Sequence, residues 1–195
     1  MILEKLQARQ MVALSLLALV GLTGCDRTGD RIRDVTGAIS SQNLSSDRKL
    51  IENEESGVRL TVPAGWENVK ELRPDADLYV GNEEEQTYVL VLAESKGSID
   101  VFSLADNSTQ YRRILARRLG GTPQPQLPTP MESIGELSAL QYEIRGQVNN
   151  QPVVYLHTTI EGESNYYQVI GWTTAANYPE AKEELQMVID SFRGA

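Results

Sequence analysis

The sequence predicts an α+β domain built on a central antiparallel sheet, and three features predict it. From Leu140 to Thr173 the chain alternates apolar and polar residues in runs joined by tight turns, the pattern of an antiparallel meander. Thr87–Ala93 (Thr-Tyr-Val-Leu-Val-Leu-Ala) is apolar at successive positions, which marks a strand covered on both faces. Two further stretches place their apolar residues at helical spacing, one in mid-chain and one at the C-terminus.

The N-terminus has a different character. Lys5 and Arg9 precede an apolar run from Met11 to Val20, too short to span a bilayer, and small residues follow. Leu22-Thr23-Gly24-Cys25 then has the order of a bacterial lipobox: Leu at −3, small residues at −2 and −1, and the acceptor cysteine at +1. Residues 1–24 are expected to be a signal peptide, with Cys25 carrying the lipid. Two or three acyl chains anchor stably where one does not, at ~0.8 kcal/mol per buried CH₂. Cys25 is the only cysteine, so disulfides within the chain are excluded. The polar segment 25–48 reads as a tether, although Ile32, Val35 and Ile39 recur at helical spacing. Residues 49–195 are assigned to the globular domain.

Within that domain Val58–Val62 alternates with period two, and Pro63-Ala64-Gly65 forces a turn before Trp66. Ala76–Val80 is a second short strand. Glu83-Glu84-Glu85 lacks the alternating ligand spacing of a calcium loop and reads as a solvated hairpin tip. The mid-chain helix places Val101, Leu104, Ala105, Ser108, Tyr111, Leu115 and Leu119 on one side, with Ser108 as a possible internal cap and Gly120-Gly121 as the stop. Arg112, Arg113, Arg117 and Arg118 fall largely on the other side. They are the one basic cluster in an acidic chain and read either as a solvated face or as a docking stripe for an acidic partner or lipid head groups. Thr122–Pro130 holds four prolines and reads as a stiff connection.

In the meander, Leu140, Tyr142, Ile144 and Val148 alternate with Gln141, Glu143, Arg145 and Gln147, so this strand is expected to be wet on one face. Asn149-Asn150 is a hairpin turn leading into Val153–Ile160. A turn at Gly162 leads into Asn165–Thr173. Pro179 opens the last helix, with Ala181, Leu185, Val188 and Phe192 as its buried stripe.

The formal charge is −9, and loss of Glu4, Lys5 and Arg9 with the signal leaves −10. This argues against nucleic-acid binding, which needs clustered cations. The chain has no H-E-x-x-H or C-x-x-C spacing, no phosphate-binding glycine loop and no G-x-S-x-G, so neither a catalytic centre, a metal site nor a cofactor is expected. His157, the only histidine, alternates with Tyr155 and Thr159 opposite Val154, Leu156 and Ile160, and reads as structural. Tyr166, Tyr167, Trp172 and Tyr178 read as core and sheet-face packing; if exposed, they would make a binding patch.

Two segments carry a family resemblance. Leu60-Thr61-Val62-Pro63-Ala64-Gly65-Trp66, together with Gly171-Trp172 and Ile189-Asp190-Ser191-Phe192-Arg193, resembles the PsbP/DcrB-like superfamily over residues 57–193. The resemblance implies a sandwich with helices on both faces of the sheet. It also implies a non-enzymatic accessory or assembly role at a membrane. The expectation is a lipid-anchored binding module on the exported side of a bacterial membrane, in contact with a membrane protein complex. In a photosynthetic host this would be the thylakoid lumen, in association with a photosystem. Two other readings stand beside it: an envelope hydrolase using His157 as base, and a small-ligand or metal-ion binder.

Overall fold

A computed structural model describes residues 39–98, 103–120 and 125–194. The lipobox Leu22, Thr23, Gly24 and Cys25, the tether up to residue 38, Val101 and part of the proline-rich connection lie outside the described residues.

Strands β1 (Ile39–Asn43), β2 (Arg48–Asn53) and β3 (Val58–Pro63) form a small antiparallel sheet. The larger sheet contains β4 (Glu67–Asn68), β5 (Leu78–Asn82), β6 (Thr87–Ser95), β7 (Leu127–Pro128), β9 (Leu137–Val148), β10 (Gln151–Glu161) and β11 (Asn165–Thr174). Its order is β4-β5-β6-β11-β10-β9-β7, antiparallel throughout, and β8 (Ser133–Ile134) pairs with β9. Helix α1 (Leu104–Arg118) lies against one face. Helix α2 (Tyr178–Asp190) and the small sheet cover the other. The expected antiparallel sheet with helices on both faces is therefore present.

Period-two alternation explains why two separate cores form. Val89, Val91, Val154, Leu156 and Val169 point to the α2 side and meet Leu185, Val188 and Ile189, together with Val58, Leu60 and Val62 from β3. Tyr88, Leu90, Leu92 and Ile170 point to the α1 side and meet Tyr111 and Leu115. Strand β6 is buried on both faces from Thr87 to Leu92, as its unbroken apolar run predicts. The β9–β10 hairpin turns through Asn149 (φ 51°) and Asn150 (φ 66°). Both have left-handed backbone, which matches the twist of the flanking strands.

Several expectations change. β1 lies inside the segment read as tether, and its register with β2 runs Ile39 opposite Asn53 to Asn43 opposite Lys49. β5 begins at Leu78 and runs on to Asn82, two residues later than expected at each end. Part of the proline-rich connection forms β7, which pairs Leu127 with Glu143. The expected wet face of β9 is wet only in part: Arg145 is exposed, Glu143 and Gln147 are half-buried, and Gln141 is covered. Gln141 is buried, donating to Thr158 Oγ1 (3.0 Å) and accepting from Thr129 Oγ1 (2.8 Å). Glu143 accepts from the Tyr178 hydroxyl (2.6 Å) and pairs with Arg145 (2.6 Å). Polar residues enter this layer because each finds a partner there.

Burial alone would raise the pKa of Glu143. Hydrogen bonds from Tyr178 and Arg145 overcome that and hold the carboxyl below the usual carboxylate range. This clamp ties α2 to β9. Tyr178→Phe is expected to lower unfolding free energy by about 1–2 kcal/mol at pH 7 in urea titrations. The difference from the parent should shrink as pH falls below the ordinary glutamate range. A carboxyl whose folded pKa is depressed loses its contribution as it is protonated.

Candidate functional site

Helix α1 carries the four candidate docking arginines and covers His157. Ser103 caps it: its backbone is extended (φ −153°, ψ 160°) and its Oγ accepts from Asp106 N at 3.1 Å. The cap is therefore Ser103, and Ser108 is a buried interior residue. Asp106 in the first turn and Arg117 and Arg118 in the last complement the helix dipole.

The four arginines do not share one face, because successive helical residues are separated by about 100°. Arg113 and Arg117, one turn apart, project outward and are exposed. Arg112 is half-buried: its guanidinium stacks 3.7 Å over the Tyr142 ring and donates to Gln126 Oε1 (2.8 Å) and Thr109 Oγ1 (3.1 Å). It fastens the helix flank to β9 and the connection instead of facing a partner. Arg118 is exposed as well, and its charge adds slightly to the lowering of the Asp75 carboxyl, which is held below its usual range chiefly by hydrogen bonds from Arg73. Among the described residues, neither Arg113 nor Arg117 makes an ion pair. The exposed cations of the helix are thus Arg113, Arg117 and Arg118, with Arg113 and Arg117 on adjoining turns and Arg112 drawn inward.

Beneath α1 lies a polar layer that the sequence announced only through His157. That residue is 0% exposed, between Tyr142 on β9 and Ile170 on β11. Its Nε2 meets Gln168 Oε1 at 2.8 Å, and the Thr159 hydroxyl donates to the same oxygen at 3.1 Å. Gln168 Nε2 donates to Asn107 Oδ1 on α1 (2.5 Å) and, more weakly, to Glu94 Oε2 on β6 (3.4 Å). Asn107 Nδ2 donates to the same Glu94 oxygen at 3.3 Å. The amide orientations assign the proton of neutral His157 to Nε2, which leaves Nδ1 as an acceptor without a partner among the described residues. Ser108 Oγ and Arg112 Nε on the facing helix are likewise buried without partners.

The Tyr111 ring stacks on the imidazole at 5.7 Å and 12°. Burial pushes the His157 pKa down to about 4, outweighing the hydrogen bond to Gln168, and nearby Arg112 adds to the fall. Burial likewise pushes the Tyr111 and Tyr155 hydroxyls up to about 12. In this arrangement His157 is neutral and sealed, without the access to a reacting group that a general base requires.

The late aromatics are placed by packing. Tyr166, Tyr167 and Tyr178 are buried. Trp172 is half-buried, stacked on Tyr88 at 4.5 Å, with its indole N–H toward the Tyr79 hydroxyl (3.3 Å). Glu83–Glu85 are exposed on the β5–β6 turn, where Asn82 Oδ1 accepts from the backbone of Glu84 (3.0 Å) and Glu85 (3.3 Å). Sequence reasoning did not single out Asn107, Gln168, Thr159 or Glu94. The available signal was Gln168 itself, a polar residue set within the otherwise apolar run of β11.

No protein-family model matches the sequence, and no curated protein matches it significantly. Among solved structures, the chain is similar to the solution structure of cyanobacterial PsbP (CyanoP) from Synechocystis sp. PCC 6803. The identity is 13%, over 80% of this chain and 98% of that one, with a TM-score of 0.57. It is also similar to PA94, a protein of unknown function from Pseudomonas aeruginosa, at 11% identity over 82% and 99% of the two chains, with a TM-score of 0.45. LpqN, involved in cell envelope biogenesis of Mycobacterium tuberculosis, matches at 11% identity over 79% and 88%, with a TM-score of 0.48. At these identities the likeness is one of fold, and the fold is a PsbP-like α+β sandwich.

Proposed function

We propose that this chain is a lipid-anchored, non-catalytic accessory or binding module on the outer face of a bacterial membrane, where it contacts a membrane protein complex. The observation that carries the reading is the order Leu22-Thr23-Gly24-Cys25 directly after a short apolar run behind Lys5 and Arg9. The PsbP-like fold is consistent with it, and so is the burial of His157, the single histidine, beneath α1. Arg113 and Arg117 are exposed cations one turn apart on a chain with formal charge −9, and with the exposed Arg118 they are the surface through which an acidic partner would be recognised.

The test is fractionation. The parent protein should sediment with membranes and resist extraction by high salt and carbonate, and its N-terminal peptide should carry the mass of acyl chains on Cys25. Cys25→Ser should move the protein to the soluble fraction with an unchanged circular-dichroism spectrum. A Cys25→Ser protein that stays membrane-bound after carbonate extraction would overturn the anchor. With the anchor intact, Arg113→Glu/Arg117→Glu should abolish a crosslink to a membrane protein that the parent makes reproducibly. If no such crosslink forms, the docking role fails while the anchor stands.

A further inference from the structure

Helix α1 is attached to the sheet in an unusual way. The residues it buries are Asn107 and Ser108, both polar, while its apolar contacts Tyr111 and Leu115 are only half-buried. A surface helix ordinarily docks through an apolar stripe. Here a central part of the attachment is a chain of hydrogen bonds, from Asn107 to Gln168 and Glu94 and from Gln168 to His157 and Thr159. Among the described residues, two of the buried atoms without partners, Ser108 Oγ and Arg112 Nε, belong to the helix, and a third, His157 Nδ1, lies in the layer beneath it. Such contacts contribute little net stability each, and orphaned groups regain water when the helix departs.

We propose that α1 is a latched cover that lifts from β9–β11 as a unit when His157 takes up a proton, uncovering Tyr142, Tyr155, His157 and Gln168. The surroundings of the imidazole disfavour that proton in the closed state. Tyr111 from α1 stacks on the ring and keeps water from it, and Arg112 from α1 adds positive charge nearby. Tyr142 from β9 lies beside it in register and itself carries the Arg112 guanidinium. On β11, Gln168 spends its oxygen on Nε2, and the one carboxylate in the network, Glu94 on β6, reaches Gln168 and Asn107 instead of the ring. A proton arriving on Nδ1 therefore meets no acceptor until the helix leaves and water enters.

The sign follows from the shift. With α1 closed, His157 protonates only near pH 4, whereas once solvated it does so near its ordinary 6.5. The closed state is thus fully favoured above about pH 6.5 and loses ground as pH falls toward 4. From these two values the opening constant of α1 should rise about twentyfold between pH 7 and pH 5.

Hydrogen exchange followed by mass spectrometry on the full-length chain in detergent micelles, corrected for intrinsic rates, reads this directly. Amides of residues 104–118 should show the twentyfold rise, while those of β10 and β11 stay protected at both pH values. Asn107→Ala should raise α1 opening severalfold at pH 7 and keep the pH trend. His157→Gln should remove the trend. Protection of α1 equal to that of β10 and β11 at both pH values would overturn the proposal. A pH trend surviving in His157→Gln would overturn it too. If His157→Gln fails to fold, the parent and Asn107→Ala profiles decide the matter on the same criterion.

Discussion

Trp66→Ala is expected to lower the unfolding free energy by about 3–5 kcal/mol, a large part of the ~5–15 kcal/mol available to a domain of this kind. Trp66 is 1% exposed and follows the Pro63-Ala64-Gly65 turn, where its backbone N–H donates to Pro63 O at 3.0 Å. The ring enters the core between the two sheets and α2, and its indole N–H donates to Glu184 Oε1 on α2 at 3.0 Å. One side chain therefore joins the exit of β3 to the last helix. Truncation removes the transfer energy of the ring and leaves a cavity in a close-packed layer. Trp66→Phe separates the contributions: most of the volume stays and the hydrogen bond goes, at a cost of about 1–2 kcal/mol. Urea titration monitored by circular dichroism measures both. A Trp66→Ala loss below about 1.5 kcal/mol would mean that this side chain is not the joint described.

The same region shows what a sequence pattern can and cannot reveal. β3, β6, β10 and β11 were legible because their buried faces are apolar at alternate or successive positions, and the Asn149-Asn150 turn was legible because its residues tolerate positive φ. β1 was not. In Ile39-Ser40-Ser41-Gln42-Asn43 only the first residue is half-buried, so an edge strand held by backbone hydrogen bonds carries no apolar alternation. Gln141 and Glu143 were assigned to solvent because polarity usually means exposure. Gln141 lies inside and Glu143 is half-buried because Thr129, Thr158, Tyr178 and Arg145 satisfy them, and pairing with Thr158 and Tyr178 from other elements has no local signature.

The site divides in the same way. Alternation with Tyr155 and Thr159 correctly set His157 on a strand face opposite Val154, Leu156 and Ile160. It could not place Asn107 and Gln168, which meet from 61 positions apart. The helical period was sound for α1, yet Ala105 is exposed and Asn107 is buried. A helix docked through hydrogen bonds does not advertise its inner face by hydrophobicity. The four arginines looked like one cluster because they are close in sequence. Their separation around the helix, and the Tyr142 ring that takes Arg112, leave three exposed arginines spread around the helix and one drawn inward.

Gly171→Leu is expected to cost about 3 kcal/mol, because α2 packs directly on the backbone of β11 at that point. A Cβ at Gly171 would meet Ile189 Cδ1 at 3.0 Å and Leu185 Cδ2 at 3.2 Å, and both residues are fully buried. β11 is an interior strand held between β6 and β10, so the strain must be taken up by the helix. Moving α2 disturbs everything anchored to it. This includes the Trp66–Glu184 bond, the Ser191 hydroxyl that accepts from Thr61 N at 2.9 Å, and the backbone bridge between Arg59 and Arg193. Gly171→Ala should cost less, about 1 kcal/mol or below. A single methyl asks the neighbours for a few tenths of an ångström, and replacing glycine removes conformational freedom from the unfolded chain. Because Gly171 and Trp66 act on the same helix, the Gly171→Leu/Trp66→Ala double variant should lose less than the sum of the single losses, a coupling that a double-mutant cycle in urea measures. The α1 side offers the contrast: the His157 layer lies on the opposite face of β10 and β11, so Gly171→Leu should lower global stability and leave the pH-dependent exchange of residues 104–118 in place. If that exchange pattern disappears in Gly171→Leu, the two faces of the sheet are not independent, and the latch must be read as part of one cooperative core.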